Sequence, residues 1–429
     1  MNVATVGSTR HRTTRPDSPL AYFQQLRPER RALYILFATQ LFTLIVLQKF
    51  GFPLGDKILQ LCLPALYLGL GVAAFWVMFK VDLVRAALYG AFCIAAFISS
   101  TLQTGGQSTT SFILALGIYL PFLCYYEVSL SFYQRLVKMF IAAMLLCGVI
   151  VIIQHLLQFT VGWRAWPNLD LMVDSHFLVP NYVYNQAVQY KSAIMKPNGI
   201  FFLEVSLLSQ FTALAFVLEA VFFKRTLVMA ALAAILLACF AGTGVLMVAL
   251  CLPFLIGKLD KKLLLVLAGV AILTLLLAVE IGWFDQVKHR FTEYQRHGTS
   301  SNQRFIAPWL LLGEFVQHKS SFFTGWGAGA ILKQMHVVWW PVTKVTIEYG
   351  ILTSLTFHAF LIYSMFRNAP SRRAAFAFFV FYSFMGGGFL VPVYPQMCLL
   401  FCSLFRVTSQ RGRARSGRAG RTEHVERAA

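Results

Sequence analysis

Long apolar runs, separated by short polar breaks, repeat along almost the whole chain. A hydrocarbon core about 30 Å thick takes about 20 helical residues, and uncharged runs of roughly that length predict twelve helices. They lie at roughly 32–49, 58–78, 84–101, 111–126, 138–158, 200–222, 226–241, 245–257, 262–283, 345–366, 374–387 and 389–405. The seventh and eighth are short and meet at Ala241-Gly242-Thr243-Gly244. That junction reads either as a tight turn between two helices or as an interruption in one long tilted element. The last two are also short and are split by Gly386-Gly387-Gly388. The pattern predicts an all-α, polytopic membrane fold of about twelve spans. Residues 1–31 and 406–429 would be basic tails, and 32–405 the membrane domain.

Composition and charge sharpen this picture. The chain is 58% hydrophobic and 13% charged, whereas soluble domains are roughly 45–50% apolar and about 25% charged. A soluble enzyme and a disordered scaffold are both excluded. Lys and Arg number 37 against 17 Asp and Glu, giving +20. On a soluble chain that excess would suggest nucleic acid. Distributed over alternating loops, 25 of the 37 basic residues fall on the side of the termini. The net is +18 on that side, +6 on the other and −4 within the spans. This is the positive-inside pattern; it puts both termini in the cytoplasm and implies no nucleic-acid partner. The Arg-, Gly- and Ser-rich tail after Arg406 reads as a disordered, orientation-fixing segment that can meet anionic lipid. No apolar run precedes residue 32, so the first helix reads as an uncleaved anchor.

Cys62, Cys93, Cys124, Cys147, Cys239, Cys251, Cys398 and Cys402 all fall inside predicted helices, with no disulfide framework and no metal-ligand spacing. They read as small apolar fillers. The chain has no G-x-x-x-x-G-K-[ST] loop and no H-E-x-x-H, nor a close acidic pair in a loop beyond Asp170 and Asp174, which a solvated loop face explains. No cofactor and no metal are called for.

Two long outer segments, 160–199 and 284–344, stand apart from otherwise short connections, and such loops are usually functional or disordered. Six of the eight tryptophans (163, 166, 309, 326, 339 and 340) lie in them. They read as an interfacial aromatic belt or as platforms on which sugar rings stack. Within the second segment, Phe305, Trp309, Leu312 and Phe315 predict one apolar face of a helix over Asn302 to Ser320, lying on the outer membrane surface.

Ionisable residues gather near the same face. Glu204 is placed four residues into the sixth helix, about 6 Å deep at 1.5 Å per residue, and carboxylates in a membrane default to functional candidates. Lys196 lies just outside it, Arg304 opens the amphipathic helix, His336 precedes Trp339 and Trp340, and Glu348 lies just inside the tenth helix. Together they predict a cationic, aromatic-lined cleft.

The stretch Lys196-Pro197-Asn198-Gly199-Ile200-Phe201-Phe202-Leu203-Glu204-Val205-Ser206 resembles the R-x-x-G-x-F-x-E-P-S helix start of the O-antigen ligase and Wzy-type polymerase superfamily. Gly242-Thr243-Gly244 resembles its hinge. Arg304-Phe305 through Trp309, then Gly325-Trp326-Gly327-Ala328-Gly329, resembles its R-F…W…G-x-G segment. His336 with Glu348-Tyr349-Gly350 resembles H-N…E-x-G. The resemblance spans residues 196 to 352 and is nearest to exopolysaccharide polymerases of the xanthan-assembly type. Lys196 stands where the family often has Arg, Val205 where Pro is common, and Gly244 where many ligases have Arg; the last departure favours the polymerase branch.

The resemblance implies a metal-independent glycosyltransferase of the bacterial inner membrane that moves a polyprenyl diphosphate-linked glycan onto a sugar hydroxyl at the periplasmic face. Its partners would be that lipid-linked oligosaccharide, membrane lipid, and the flippase and chain-length or export proteins of the same assembly. Arg304 is the leading candidate for stabilising the leaving diphosphate, assisted by Lys196 and His336, with Arg290 a weaker candidate. Glu204 and His336 are alternatives for the base, and Trp309, Trp339 and Trp340 for sugar contacts; Glu348 reads as structural. The competing readings are a ligase and a lipid-linked oligosaccharide transporter. A transporter generally places its site at the midplane between repeated halves, whereas no internal repeat is visible here.

Overall fold

The computed structural model describes residues 26–408 apart from 56, 104–107, 181, 183–184, 189–193, 256–299 (where only 269 and 272 are placed), 319–320, 332–336 and 386–387. The ninth predicted helix, 262–283, therefore lies outside the described residues, as do both tails except for residues 26–31 and 406–408.

The described chain is mostly helical. In order it forms α1 (Pro28–Ile45), β1 (Gly51–Leu54), β2 (Lys57–Gln60), α2 (Cys62–Ala74), β3 (Lys80–Val81), α3 (Leu83–Leu102), α4 (Thr109–Tyr119), β4 (Cys124–Val128), α5 (Leu130–Thr160) and the single turn α6 (Leu169–Met172). Then come α7 (Val205–Phe222), α8 (Thr226–Ala238), α9 (Gly242–Leu255), α10 (Ser300–Phe305), α11 (Ala307–Gln317), α12 (Pro341–Phe366), α13 (Arg372–Val380), α14 (Val393–Cys398) and β5 (Phe405–Val407). Four of these helices, α3, α5, α7 and α12, are long and apolar enough to cross a membrane. The shorter apolar helices include α2, α8 and α9.

Polar caps set several boundaries, because a side-chain oxygen can take one of the amide N–H groups left over at a helix start. The carboxylate of Asp82 accepts from Val84 and Arg85 at the head of α3. Ser129 accepts from Phe132 at the head of α5, and Ser371 from Ala374 at the head of α13. The central helix α7 has no such bond, because Glu204 in its cap position makes none.

Nearly every side chain of α7 from Val205 to Ala220 is buried. A helix apolar all round is one surrounded by others, and α7 packs against α5, α8, α9 and α13. The contact with α9 is close because Gly244 has no side chain; a Cβ there would strike the Ser209 hydroxyl and carbonyl. By contrast α3 leaves Ile94, Phe97, Ile98 and Leu102 exposed, and α5 leaves Leu146, Val149, Ile152, Ile153, Leu156 and Phe159 exposed. Such apolar faces suit a hydrocarbon surrounding rather than water.

Several predicted elements are revised. Five short strands join the helices: β1 and β2 form an antiparallel hairpin (Gly51 opposite Gln60), while β4 pairs antiparallel with β3 and parallel with β5. The run 111–126 is thus a short helix, a 3-10 turn and a strand. A short apolar run does not by itself distinguish helix from strand. The runs 374–387 and 389–405 each become a short helix followed by a π turn, Phe381–Met385 and Leu399–Ser403. The junction at 241–244 is a turn between two helices, with Phe240 at φ 51°.

Candidate functional site

The site is assembled at the N-terminal end of α7. Two buried glutamines on α5 hold the approach: Gln158 accepts from the Met195 amide at 2.6 Å, and Gln154 accepts from Gly199 at 2.9 Å while donating to Asn198 Oδ1 at 3.2 Å. Asn198 Oδ1 also accepts from the Ile200 amide at 2.9 Å, closing a side-chain turn of the kind Asn favours. Gly199 and Ile200 both have left-handed backbone, φ 66° and 67°. For a β-branched residue that is a strained conformation of the kind that collects at functional sites. The chain consequently turns before the helix begins. Glu204 is not four residues deep in α7; it is the extended residue immediately before the first turn, at φ −152° and ψ 163°.

The second wall comes from α10, α11 and the start of α12. The predicted single helix over 302–320 is instead two, because Pro308 at the head of α11 removes a backbone donor and stops continuation from α10. Leu311 and Phe315 of α11 pack with Ile331, Trp339 and Ile347 in a small separate core. Two bonds fasten the stretch before α12 onto α10: Val338 N–H to Gln303 O at 3.1 Å and Trp340 Nε1–H to Arg304 O at 2.9 Å. The Trp340 ring meets Trp309 edge to face at 5.2 Å and Phe384 at 5.1 Å.

α12 itself is broken at Gly350, φ 81° and ψ 170°. The freed backbone groups are met by the loop before it: Trp326 N–H bonds Ile347 O at 2.7 Å, Gly327 N–H bonds Glu348 O at 2.9 Å, and Ile351 N–H bonds Phe322 O at 3.1 Å. A Cβ on Gly350 would strike the Phe323 carbonyl. Irregular backbone inside an apolar helix is tolerated where protein supplies the missing bonds.

These walls border a half-open cavity of about 340 Å³. Ile58, Leu114, Val179, Val337, Val338, Leu390 and Val391 give it apolar sides, and Glu204, Arg304, Lys344, Tyr182, Tyr394 and Trp339 give it polar groups. Arg304 Nη2 lies 3.5 Å from Glu204 Oε1, both side chains largely covered. The same carboxylate oxygen accepts from the Ser206 hydroxyl. Arg304 Nε is buried with no hydrogen-bond acceptor among the described residues, and so is the indole N–H of Trp339. Lys344 Nζ is 3.4 Å from Glu348 Oε1. Burial raises the Tyr182 phenol above its ordinary range, and the Glu204 carboxylate pushes it the same way.

Of the residues predicted for the site, Glu204, Arg304 and Trp339 are brought together. Trp340 sits behind Arg304 and fixes its backbone without lining the cavity. Trp309 is exposed and touches only the rim of this aromatic cluster. Lys196 is buried in the approach segment, its amide on Gln186 O at 2.7 Å, and does not line the cavity. His336 and Arg290 lie outside the described residues. Lys344, Tyr182 and Tyr394 were missed. The available signal for Lys344 was a charge four residues before Glu348 at the edge of an apolar run; for the tyrosines there was none.

Beside this cavity, where the Lys49 carbonyl accepts from the amide of the lining residue Val179 at 2.9 Å, Lys49 Nζ and Asp170 pair at 3.0 Å, joining the turn before β1 to α6. Burial lowers the Lys49 pKa, and the aspartate opposes that shift. Comparison of the chain with protein-family models, with curated proteins and with solved structures gives no match.

Proposed function

We propose that this protein is a membrane polymerase that joins polyprenyl diphosphate-linked repeat units into an exopolysaccharide at the periplasmic face. The observation that carries the reading is the meeting of Glu204 and Arg304, a hundred residues apart in sequence, on the wall of a largely apolar cavity that also holds Lys344 and Trp339. The motif resemblance over residues 196 to 352 supports it, and so does the positive-inside charge pattern.

In the reaction, the bond between the anomeric carbon of the donor glycan and its diphosphate oxygen breaks. The electron pair leaves with the polyprenyl diphosphate, a hydroxyl oxygen of the acceptor repeat unit bonds to that carbon, and its proton passes to a base. The donor is already activated, so no nucleotide is required. Negative charge grows on the leaving oxygen, and a fixed cation facing it lowers the barrier. Arg304 is suited to this: its backbone is fastened by Trp340, its position is steadied by Glu204, and Nε is left over. Glu204 and His336 are the two candidates for the base, which must come within hydrogen-bond reach of the acceptor hydroxyl.

The test is to incubate the purified full chain in lipid nanodiscs with lipid-linked repeat unit alone. A ladder of products without added nucleotide supports a polymerase. No elongation with competent substrate, together with transfer to a lipid A-core acceptor, would replace it with a ligase.

A further inference from the structure

Lys344 occupies a place that helix energetics disfavour. It is the fourth residue of α12, in the first turn, where the positive end of the helix dipole repels a cation. Its ion partner Glu348 is four residues later, and Lys before Glu is the weaker order for such a pair. The side chain is nonetheless buried, at 6% exposure, and Glu348 is fully buried. Moving a cation out of water needs strong compensation, but the Nζ–Oε1 separation of 3.4 Å is longer than an ordinary N–H···O bond. An ammonium carries three donors. Here it faces a cavity whose described lining includes two cations, Arg304 and Lys344, and one carboxylate, Glu204. Trp339, 4% exposed and lining the same cavity, adds an indole N–H with no acceptor among the described residues.

We infer that Lys344 is the second cation of a diphosphate-binding site, gripping one phosphate while Arg304 faces the other, with Glu348 as the counter-ion that holds Lys344 in place when the site is empty. The inference rests on the polymerase reading for its ligand class, but its chemistry is that of any diphosphate, lipid-linked or free. The two cations sit on segments tied by the Val338–Gln303 and Trp340–Arg304 bonds, so their separation is fixed by backbone rather than by flexible loops. A preorganised pair of this kind prefers a two-phosphate group to a single phosphate.

The experiment is calorimetric titration of the full chain in nanodiscs of neutral lipid with inorganic pyrophosphate, farnesyl diphosphate and inorganic phosphate. The expected result is binding of at least one diphosphate in preference to phosphate. Affinity should fall by about tenfold or more in Lys344→Met and return in large part in Lys344→Arg, consistent with loss of charge-assisted bonds. Binding of farnesyl diphosphate alone would assign a lipid-linked headgroup; binding of both, the diphosphate itself. Glu348→Gln keeps the ammonium and removes its competitor, so it should tighten diphosphate binding severalfold; a purely structural pair would give no gain. Unchanged affinity in folded Lys344→Met, no gain in Glu348→Gln, or no diphosphate binding by the unaltered protein would each overturn the inference. The polymerase reading fails separately: Lys344-dependent binding without a product ladder sinks that reading alone, and a ladder with Lys344-independent binding sinks this site alone.

Discussion

The two ends of α7 carry the same chemical pair, a glutamate with an arginine, about 22 Å apart along the helix at 1.5 Å per residue, and the pairs are built to different standards. At the C-terminal end Arg225 donates to the buried Glu219 carboxylate through Nε at 2.9 Å, Nη2 at 2.7 Å and its own amide at 2.9 Å. The partners are six residues apart, and together they close the turn into α8. Those bonds raise the pKa of Arg225. At the N-terminal end Arg304 makes one long contact of 3.5 Å with Glu204, reaches it from a remote segment and keeps Nε without an acceptor among the described residues. The first pair is saturated and local. The second is unsaturated and lines a cavity. Hydrogen-bond saturation, more than residue identity, separates a pair that holds the fold from one left able to meet a ligand.

The largest expected effect that separates the two ends is Arg304→Ala, which should lower polymer formation by a hundredfold or more, on the order of the loss when one transition-state donor is removed. Protein level in the membrane should be unchanged. Normal product from that variant would equate the two pairs. Glu204→Gln should also cost at least about tenfold in rate, and its pH profile distinguishes the base from a positioning residue: loss of the acidic limb marks Glu204 as the base. Arg225→Ala should act on stability instead, leaving the buried Glu219 with only the residue-225 amide as donor at a cost of about 1–3 kcal/mol, since the arginine itself is half exposed; the check is a lower melting temperature with undiminished turnover per folded molecule. Gly350→Ala should destabilise by about 1–3 kcal/mol, because φ 81° and the Phe323 carbonyl both oppose a side chain. The smallest effect is expected for Trp309→Ala, within about threefold in KM, whereas Trp339→Ala on the cavity wall should exceed it. The reverse order would move sugar contact out to the exposed ring.

Much of this architecture was legible in the chain, and unevenly so. The spans that became α3, α5, α7 and α12 were visible because uninterrupted apolar sequence of that length has few other uses. The strand Cys124–Val128 was not, because the apolar run reaches Tyr126 and only Glu127 interrupts it; nor were the π turns after α13 and α14, whose composition is as apolar as a helix. Glu204 and Arg304 were nominated by residue type and motif, but nothing in a sequence separation of a hundred residues indicates contact at 3.5 Å. The apolar run starting at residue 200 places Glu204 inside the helix, whereas the Asn198 turn and the left-handed Ile200 delay the helix to Val205. The apolar run of the tenth span begins at Val345 and so leaves Lys344 with the outer loop; the structure places it in the first turn of α12, buried in the cavity wall.

The most direct test of the difference between the two ends is a paired assay of Arg304→Ala and Arg225→Ala, each purified as the full chain in nanodiscs, with equal amounts of folded protein given lipid-linked repeat unit. The expected result is a product ladder from Arg225→Ala and none from Arg304→Ala. A ladder from Arg304→Ala equal to that of the unaltered protein would contradict the assignment of the open end of α7 as the reacting site.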